Sequence, residues 1–560
     1  MESIVKAFAS AFDTVAGRAV DPVVRRSKHA DFQVEGALAL GRELRRPPRE
    51  VAADVLGHVA AQGFDAVVAG AGFINVTVGD DWLAGRLAEA ASDPRLGVPV
   101  TDTPEVVAID YSAPNVAKEM HVGNLRSTVI GDAVARLLEW LGHDVRRINH
   151  IGDWGTSFGM LLEHLEESGS PDEAGIGDLD AFYKAARARF AADEEFAERS
   201  RQRVVALQSG DEATLRLWHK HVDESERYLL AVYATMGVTM SKEDFVGESF
   251  YNPMLGPLVE ELESAGLLRD SDGAKCLFPD GFSGRDGEPL PIIVRKRDGG
   301  FGYSATDLAA IRYRIKNLKA DRVLYVVGAP QAKHFAMVFA AARAAGWLTG
   351  SVRAEHVQFG SVLGADGKLL RSRAGDGVKL RELLDEAVAR AYEIVGPSLE
   401  DGERHAVARA VGIGAVKYAD LSNHRLKDYV FDWDRMLATN GDTAAYLQYA
   451  CARVASILRR AGGSATASIV LTHPSERALA LELLGFPGVV EAVAQTFEFQ
   501  KLTGYLFGLA GAFNAFFRDC RVLQAEDDAS RASRLVMCDL TRRTMVQGMG
   551  LLGIEVPERM

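Results

Sequence analysis

The sequence predicts an α/β protein in three parts: a small N-terminal α/β unit, a central parallel-sheet domain with insertions, and an all-α C-terminal bundle. Three observations carry this. The chain has 560 residues, enough for about three or four domains at roughly 150 residues each. A strand, loop, helix and strand follow one another between Val106 and Asn149, the repeating unit of a parallel sheet. From about residue 376 onward, helical apolar spacing is almost unbroken.

Composition removes several classes. With 48% hydrophobic and 25% charged residues the chain can bury a large core, so disordered, collagen-like and low-complexity readings fall away. Lys+Arg 64 against Asp+Glu 77 leaves a net charge of -13, which argues against nucleic-acid binding by bulk charge and permits local basic patches. Cys276, Cys451, Cys520 and Cys538 stand far apart, without a Cys-x-x-Cys pair or a histidine at zinc-ligand spacing. They are expected to be reduced packing thiols of a cytoplasmic protein, with no metal site. The first residues carry no basic segment followed by a long apolar stretch, and no run approaches the roughly 18 apolar residues of a membrane span. No membrane partner is expected.

The elements follow in order. In residues 1–104, positions 7–16 and 48–60 have helical spacing, 73–78 alternates as a strand, and Pro104 marks a boundary. Between 18 and 50, eight Arg/Lys face five Asp/Glu, a local basic surplus that suits either phosphate or a solvated face. Residues 106–111 are a buried-strand run followed by a loop through Ser112, Pro114 and Asn115. Leu125, Val129, Ala133, Leu137 and Leu141 then recur at helical spacing until Gly142, a suitable C′ residue. A second strand at 144–149 completes the βαβ unit of a Rossmann-like sheet. Residues 168–290 read as insertions, and strand signals return at 291–295 and 322–328. The sheet domain is thus expected over 105–375, a helical stem over 376–430 and the bundle over 431–560.

The loop 112–124 joins a strand end to a helix start, where parallel-sheet proteins gather ligands and where free backbone N–H groups favour phosphate. His121 can donate to a phosphate oxygen, Gly123 admits a close approach to the backbone, and Lys118 supplies a mobile cation. A second basic turn, Gly367-Lys368-Leu-Leu-Arg371-Ser372-Arg373, could meet charge on a leaving group. Tyr303 and Asp307 put a phenol and a carboxylate four residues apart, on one face if the segment is helical.

Taken together, these segments resemble one family. Pro114-Asn-Val-Ala-Lys-Glu-Met-His-Val-Gly-Asn124, followed by Leu-Arg-Ser-Thr128, resembles the His-Ile-Gly-His signature of class I aminoacyl-tRNA synthetases in its arginyl-tRNA synthetase form. Only Asn124 departs from it, standing where the family usually has the second histidine. Asparagine can donate a hydrogen bond but cannot be cationic. His150-Ile-Gly-Asp-Trp-Gly155 resembles a second segment of the same family, and residues 367–373 resemble a degenerate Lys-Met-Ser-Lys-Ser loop. The resemblance extends to the closing Gly-Ile-Glu-x-x-Glu-Arg-Met.

The resemblance implies catalytic roles for Lys118, His121, Asn124, Lys368 and Arg371, with Gly123, His334 and Arg373 joining them around ATP. It implies that Tyr303 and Asp307 read a guanidinium while Asp110, Asn115 and Gln331 orient the amino acid. Phe73 and Asn75 would touch the tRNA D-loop, and Tyr446 and Tyr449 the anticodon. The implied activity is arginine–tRNA ligation by a monomer, with ATP and Mg2+, L-arginine and tRNA(Arg) as substrates and no tightly bound metal. An alternative, a catalytically impaired or specialised paralogue that binds tRNA, rests on Asn124.

Overall fold

The computed structural model describes residues 2–560 except 61–62, 117, 169–178, 285, 371–377, 397–398 and 465–466. Near the N-terminus the strands Val24–Arg26, Phe32–Val34, Phe73–Val78 and Phe64–Ala69 form one antiparallel sheet in that order. Ile74, Val76 and Val78 point into a core shared with Phe8, Phe12, Val51 and Val55, while Phe73, Asn75 and Thr77 alternate outward. The first helix, Glu2–Ala16, starts earlier than residue 7 because Ile4 extends the buried stripe that Phe8 and Phe12 continue.

The central sheet is parallel, in the order Arg353–His356, Arg322–Tyr325, Val106–Asp110, Asp144–Ile148. From Val106–Asp110 the chain adds one neighbour through the helix Val122–Trp140, and later the other neighbour on the opposite side. The strand order therefore reverses between Asp110 and Tyr325, and the crevice at that switch point opens at the strands' carboxyl ends. Gly131 lets the helix lie on the sheet: a Cβ there would come within 2.3 Å of the Tyr111 side chain.

One strand departs from the sequence expectation. Ile292–Arg295 does not join the parallel sheet but closes a separate antiparallel one with Leu268–Ser271 and Ala274–Leu277. Its residues alternate, with Ile292 and Val294 buried and Ile293 45% exposed, which is the two-faced pattern of an antiparallel strand. Val106–Asp110 is instead buried on both faces, as a parallel strand requires. The helices Thr156–Ser168, Leu179–Ala192, Glu194–Ser209 and Glu212–Met236 make up the insertion after Asp144–Ile148.

Beyond the sheet domain, Leu380–Ile394 and Asp401–Leu421 pack on each other and lead to a bundle of Ala444–Ala461, Pro474–Leu483, Phe486–Thr496, Gln500–Asp519 and Asp528–Leu551. Residues 474–496 are long and apolar enough in composition to cross a membrane, but they form two helices that break at Gly485. Leu479, Leu483, Phe486, Val490 and Val493 of this pair are buried in the core. All four cysteines are free and buried.

Candidate active site

The helix Val122–Trp140 opens into the crevice, and its first turn is capped by side chains of the loop itself. The Gly123 N–H donates to His121 Nδ1 at 3.0 Å, and the His121 N–H donates to Asn124 Oδ1 at 3.2 Å. With Nδ1 accepting, the imidazole proton is assigned to Nε2, which turns a donor away from the helix. Asn124 likewise commits its oxygen to the cap and keeps its amide N–H groups as donors. The expected free backbone N–H groups are not free. Val122 N donates to Val378 O at 2.9 Å and Asn124 N to His121 O at 2.8 Å, so these first-turn donors are already taken, one of them by the segment after the second basic loop. Donors for an anion here come from side chains instead.

The second basic loop is joined to the first through backbone. It is entered by the strand Val362–Leu363, which pairs with Tyr429–Val430, and is turned by a 2.8 Å bond from Gly364 N to Lys368 O. Lys368 is exposed, and Arg371 and Arg373 lie outside the described residues. On the way out, Leu380 N donates to Met120 O at 2.8 Å, beside the Val122–Val378 bond, and Lys379 pairs with Glu119 at 2.5 Å. The loop that starts at Lys368 thus returns to the residues flanking His121. Lys118 is held elsewhere: its Nζ stands 4.1 Å from the ring centroid of Tyr183 on the insertion helix Leu179–Ala192.

The helix Tyr303–Lys316 presents Tyr303 and Asp307 on one face, where both meet His334 of the helix Ala332–Ala344. Asp307 Oδ2 lies 2.6 Å from His334 Nε2, and the Tyr303 ring centroid 5.1 Å from that of His334. Tyr303 is 68% exposed, so its phenol is accessible to a ligand. Gln331 is exposed in the turn Ala329–Gln331 that enters the same helix, and Asn115 lies over Gly152, where a Cβ would come within 2.3 Å of its Oδ1. Asp110 is engaged internally. Its Oδ2 takes Arg314 Nη2 at 2.7 Å, and its enclosed Oδ1 has no hydrogen-bond partner among the described residues.

Two further groups stand here, of which only Glu248 escaped the sequence reading. His150 stacks on Tyr251 at 5.4 Å, its Nδ1 is 3.4 Å from Arg314 Nη2, and burial lowers its pKa even though Asp110 and Asp307 oppose that. The Glu248 carboxyl is pushed up to about 7 by burial, then by the charges of Asp153 and Asp307. It lies in the inserted region, and no local spacing links it to Asp307. A cavity of about 220 Å3 lies elsewhere, lined by Tyr418, Asn423, Tyr429 and Thr443.

Two exposed surfaces carry the remaining predicted residues. Asn75 accepts from Gln33 Nε2 at 2.8 Å on the open face of the N-terminal sheet, where Phe73 also lies. On the bundle, Tyr446 is half-buried and its hydroxyl accepts from Asn514 Nδ2 at 2.8 Å, with Phe507 5.6 Å away. Tyr449 is 49% exposed under the guanidinium of Arg453 at 5.0 Å, and Phe517 is 41% exposed beside it. Arg453, Phe507, Asn514 and Phe517 were not singled out in the sequence, although Arg453 stands one helical turn after Tyr449.

A parallel-sheet crevice with two joined loops, flanked by an antiparallel N-terminal unit and a helical bundle, has the architecture of a class I aminoacyl-tRNA synthetase. Residues 89–433 match the model of the tRNA synthetases class I (R) catalytic domain, 447–560 the DALR anticodon binding domain, and 2–78 the arginyl tRNA synthetase N terminal domain. The chain belongs to the arginyl-tRNA synthetase family. The arginine–tRNA ligase of Thermobifida fusca (strain YX) is 54% identical over 554 residues, covering 97% of this chain and 96% of the relative. That of Frankia casuarinae is 50% identical over 574 residues, covering 99% and 97%. The arginyl-tRNA synthetase of Thermus thermophilus superposes with a TM-score of 0.86 at 27% identity, covering 100% of both chains.

Proposed function

We propose that this arginine–tRNA ligase works in the crevice between Asp110 and Tyr325, where it activates L-arginine with ATP to arginyl-adenylate and then transfers it to the 3′-terminal adenosine of tRNA(Arg). The observation that carries this assignment is the pair of backbone bonds, Val122–Val378 and Leu380–Met120, that brings the Lys368 loop to the cap of the His121 helix. Both steps are displacements at phosphorus or at an acyl carbon, and neither needs a nucleophile from the protein. The arginine carboxylate attacks the α-phosphate, and pyrophosphate leaves with charge that nearby donors and cations must already be placed to meet. His121 Nε2 and the Asn124 amide supply donors beside Gly123. Lys368, Arg371 and Arg373 supply cations, and Lys118 joins them once it leaves Tyr183. Tyr303, Asp307 and Glu248 take the guanidinium, since planar N–H pairs favour carboxylates. Asn115 and Gln331 orient the amino acid, and His334 stands between Asp307 and the nucleotide.

The exposed aromatic and Arg453 group around Tyr449 supplies π-faces for unstacked anticodon bases, and Phe73 with Asn75 a contact for the D-loop. Mg2+ arrives with the ATP phosphates. The parts of the chain act as a tRNA-contacting domain at 1–104, a catalytic domain at 105–375, a stem at 376–430 and an anticodon-binding domain at 431–560, in a cytoplasmic monomer without a membrane partner. A non-catalytic paralogue finds no support in the comparisons. The Asn124 cap moreover preserves one acceptor and one donor, as a neutral histidine would.

Aminoacylation compared with arginine, lysine and canavanine tests the reading. Charging with arginine and, more weakly, canavanine is expected, and equal charging with lysine would refute the guanidinium site. Pyrophosphate exchange with and without tRNA(Arg) is expected to require the tRNA, and equal rates would refute that dependence.

A further inference from the structure

Arginine carries a cation at each end, an α-ammonium and a guanidinium, and only one orientation brings its carboxylate to the α-phosphate. A pocket walled by equivalent carboxylates would accept it in either direction. Several carboxylates do converge here. Asp110, Asp307 and Asp153 all act electrostatically on the His150 ring, and Glu248 feels Asp153 and Asp307. Asp110 differs from the rest because the chain provides it with a cation of its own.

That cation is Arg314, which is 0% exposed. Its Nη2 is 2.7 Å from Asp110 Oδ2 and 3.4 Å from His150 Nδ1, and its guanidinium lies 4.8 Å from the Tyr325 ring centroid. Nε and Nη1 have no hydrogen-bond partner among the described residues. Burying an ion pair this deeply seldom adds stability over apolar packing, because desolvation offsets the attraction, and its better-attested use is to fix an arrangement. Arg314 also lies two turns after Asp307 on the same helix, with Tyr303 one turn before Asp307. One helix thus carries both the carboxylate offered to substrate and the guanidinium that compensates another carboxylate.

Building on the guanidinium site proposed above, we infer that Arg314 is a specificity-determining positioning residue: by compensating Asp110 it leaves the pocket one anionic end, at Asp307 and Glu248, and so sets the direction in which arginine binds. Without Arg314, Asp110 becomes an uncompensated anion beside His150 and competes for either cation of the substrate.

The test uses agmatine, which has both cations and no carboxylate, as an inhibitor of tRNA-supported pyrophosphate exchange by the full chain. In R314M agmatine is expected to inhibit about tenfold more tightly, kcat with arginine to fall about tenfold, and KM for ATP to stay within about twofold. R314K keeps a cation and is expected to hold the agmatine Ki within about threefold of the wild type. D110N/R314M removes the stranded charge and is expected to return the agmatine Ki to within about threefold as well. An agmatine Ki that is unchanged or weaker in R314M overturns the inference. If R314M does not fold, D110N/R314M decides alone: wild-type agmatine binding supports compensation, while a tenfold loss makes Arg314 a mere anchor. Asp307→Asn separates the underlying reading, because unchanged binding of arginine and agmatine there would refute the guanidinium site whatever Arg314 does.

Discussion

His121 and Asn124 cap one helix reciprocally, the imidazole Nδ1 accepting from Gly123 N while the amide Oδ1 accepts from the His121 N–H. This relationship shows how an asparagine can close the turn at the position of the second histidine in the signature that the segment resembles. N124A removes the Asn124 half of the cap and its amide donor, and is expected to cost about 1 kcal/mol of stability along with activity. N124H keeps an acceptor and a donor, so its kcat is expected within about threefold of the wild type. Activity that appears only in N124H would overturn this account.

Gly123 is the second fixed point of the same turn. A Cβ there would stand 2.6 Å from His121 Cε1, so G123A must push the imidazole off its cap. Alanine favours a helix over glycine by about 1 kcal/mol, which means the fold should tolerate the change. The expected outcome is unchanged melting with pyrophosphate exchange reduced by about 100-fold, since lost transition-state donors cost roughly that much. Full activity in G123A would show that the ring position does not matter.

Glu248 gives the site a pH dependence of definite sign. Its carboxyl, normally near 4.5, titrates at about 7 because burial and the charges of Asp153 and Asp307 disfavour ionisation. A carboxyl raised by folding contributes stability below about 4.5 and loses it as pH rises through about 7. A bound guanidinium favours the ionised form, so KM for arginine is expected to fall roughly tenfold between pH 6 and pH 8. E248Q should flatten that profile. A wild-type KM that is level across the range would remove Glu248 from the site.

Much of this was legible in the chain because it is local. The strand at 106–110, the helical spacing from Leu125 and the terminator Gly142 each declare themselves within a few residues, and Tyr303 with Asp307 lies one helical turn apart. What periodicity cannot encode is pairing at long separation. Arg314 meets Asp110 across 204 positions, and Leu380 meets Met120 only because the second loop returns to the first. The strand signal at 291–295 marks a strand but not its sheet, because a four-residue apolar run does not say which sheet will take it. The contact of Lys118 with Tyr183 is likewise invisible to local spacing, because the two stand far apart in sequence.

Tyr449 offers a test of the bundle surface that leaves the fold alone. Its ring is 49% exposed and touches the Arg453 guanidinium, whereas Tyr446 is half-buried and hydrogen-bonded to Asn514. Stacking on one base contributes about 1–3 kcal/mol, so Y449A is expected to raise KM for tRNA(Arg) by roughly tenfold or more. KM for arginine and ATP and the melting temperature should not move. Y446A, by contrast, is expected to lower stability as well as tRNA affinity.

Arg126 stands where the His121 turn, the segment leading to Lys368 and the helix Asp401–Leu421 meet. It follows Asn124 by two residues, and its Nε is 3.2 Å from Asp420 Oδ2, with side chains 2% and 0% exposed. Its Nη1 donates to Lys427 O at 3.0 Å, and its guanidinium lies 5.3 Å from the ring centroid of Tyr429. Tyr429 belongs to the strand that pairs with Val362–Leu363, the segment leading into the Lys368 loop. Removing one member of such a buried pair leaves the other charge unpaired, at a cost of about 3–5 kcal/mol. R126M is therefore expected to lower the melting temperature and to slow pyrophosphate exchange, because the His121 turn and the Lys368 loop lose a shared anchor. R126K does not substitute, since a point charge cannot bond the carboxylate and the Lys427 carbonyl in the same planar geometry. Replacing both partners, in R126M/D420L, removes the stranded charge and should recover most of the stability without recovering the rate. If the double variant regains full pyrophosphate exchange, the pair serves only to hold the fold, and the link between Asp420 and the His121 turn has no part in placing ATP.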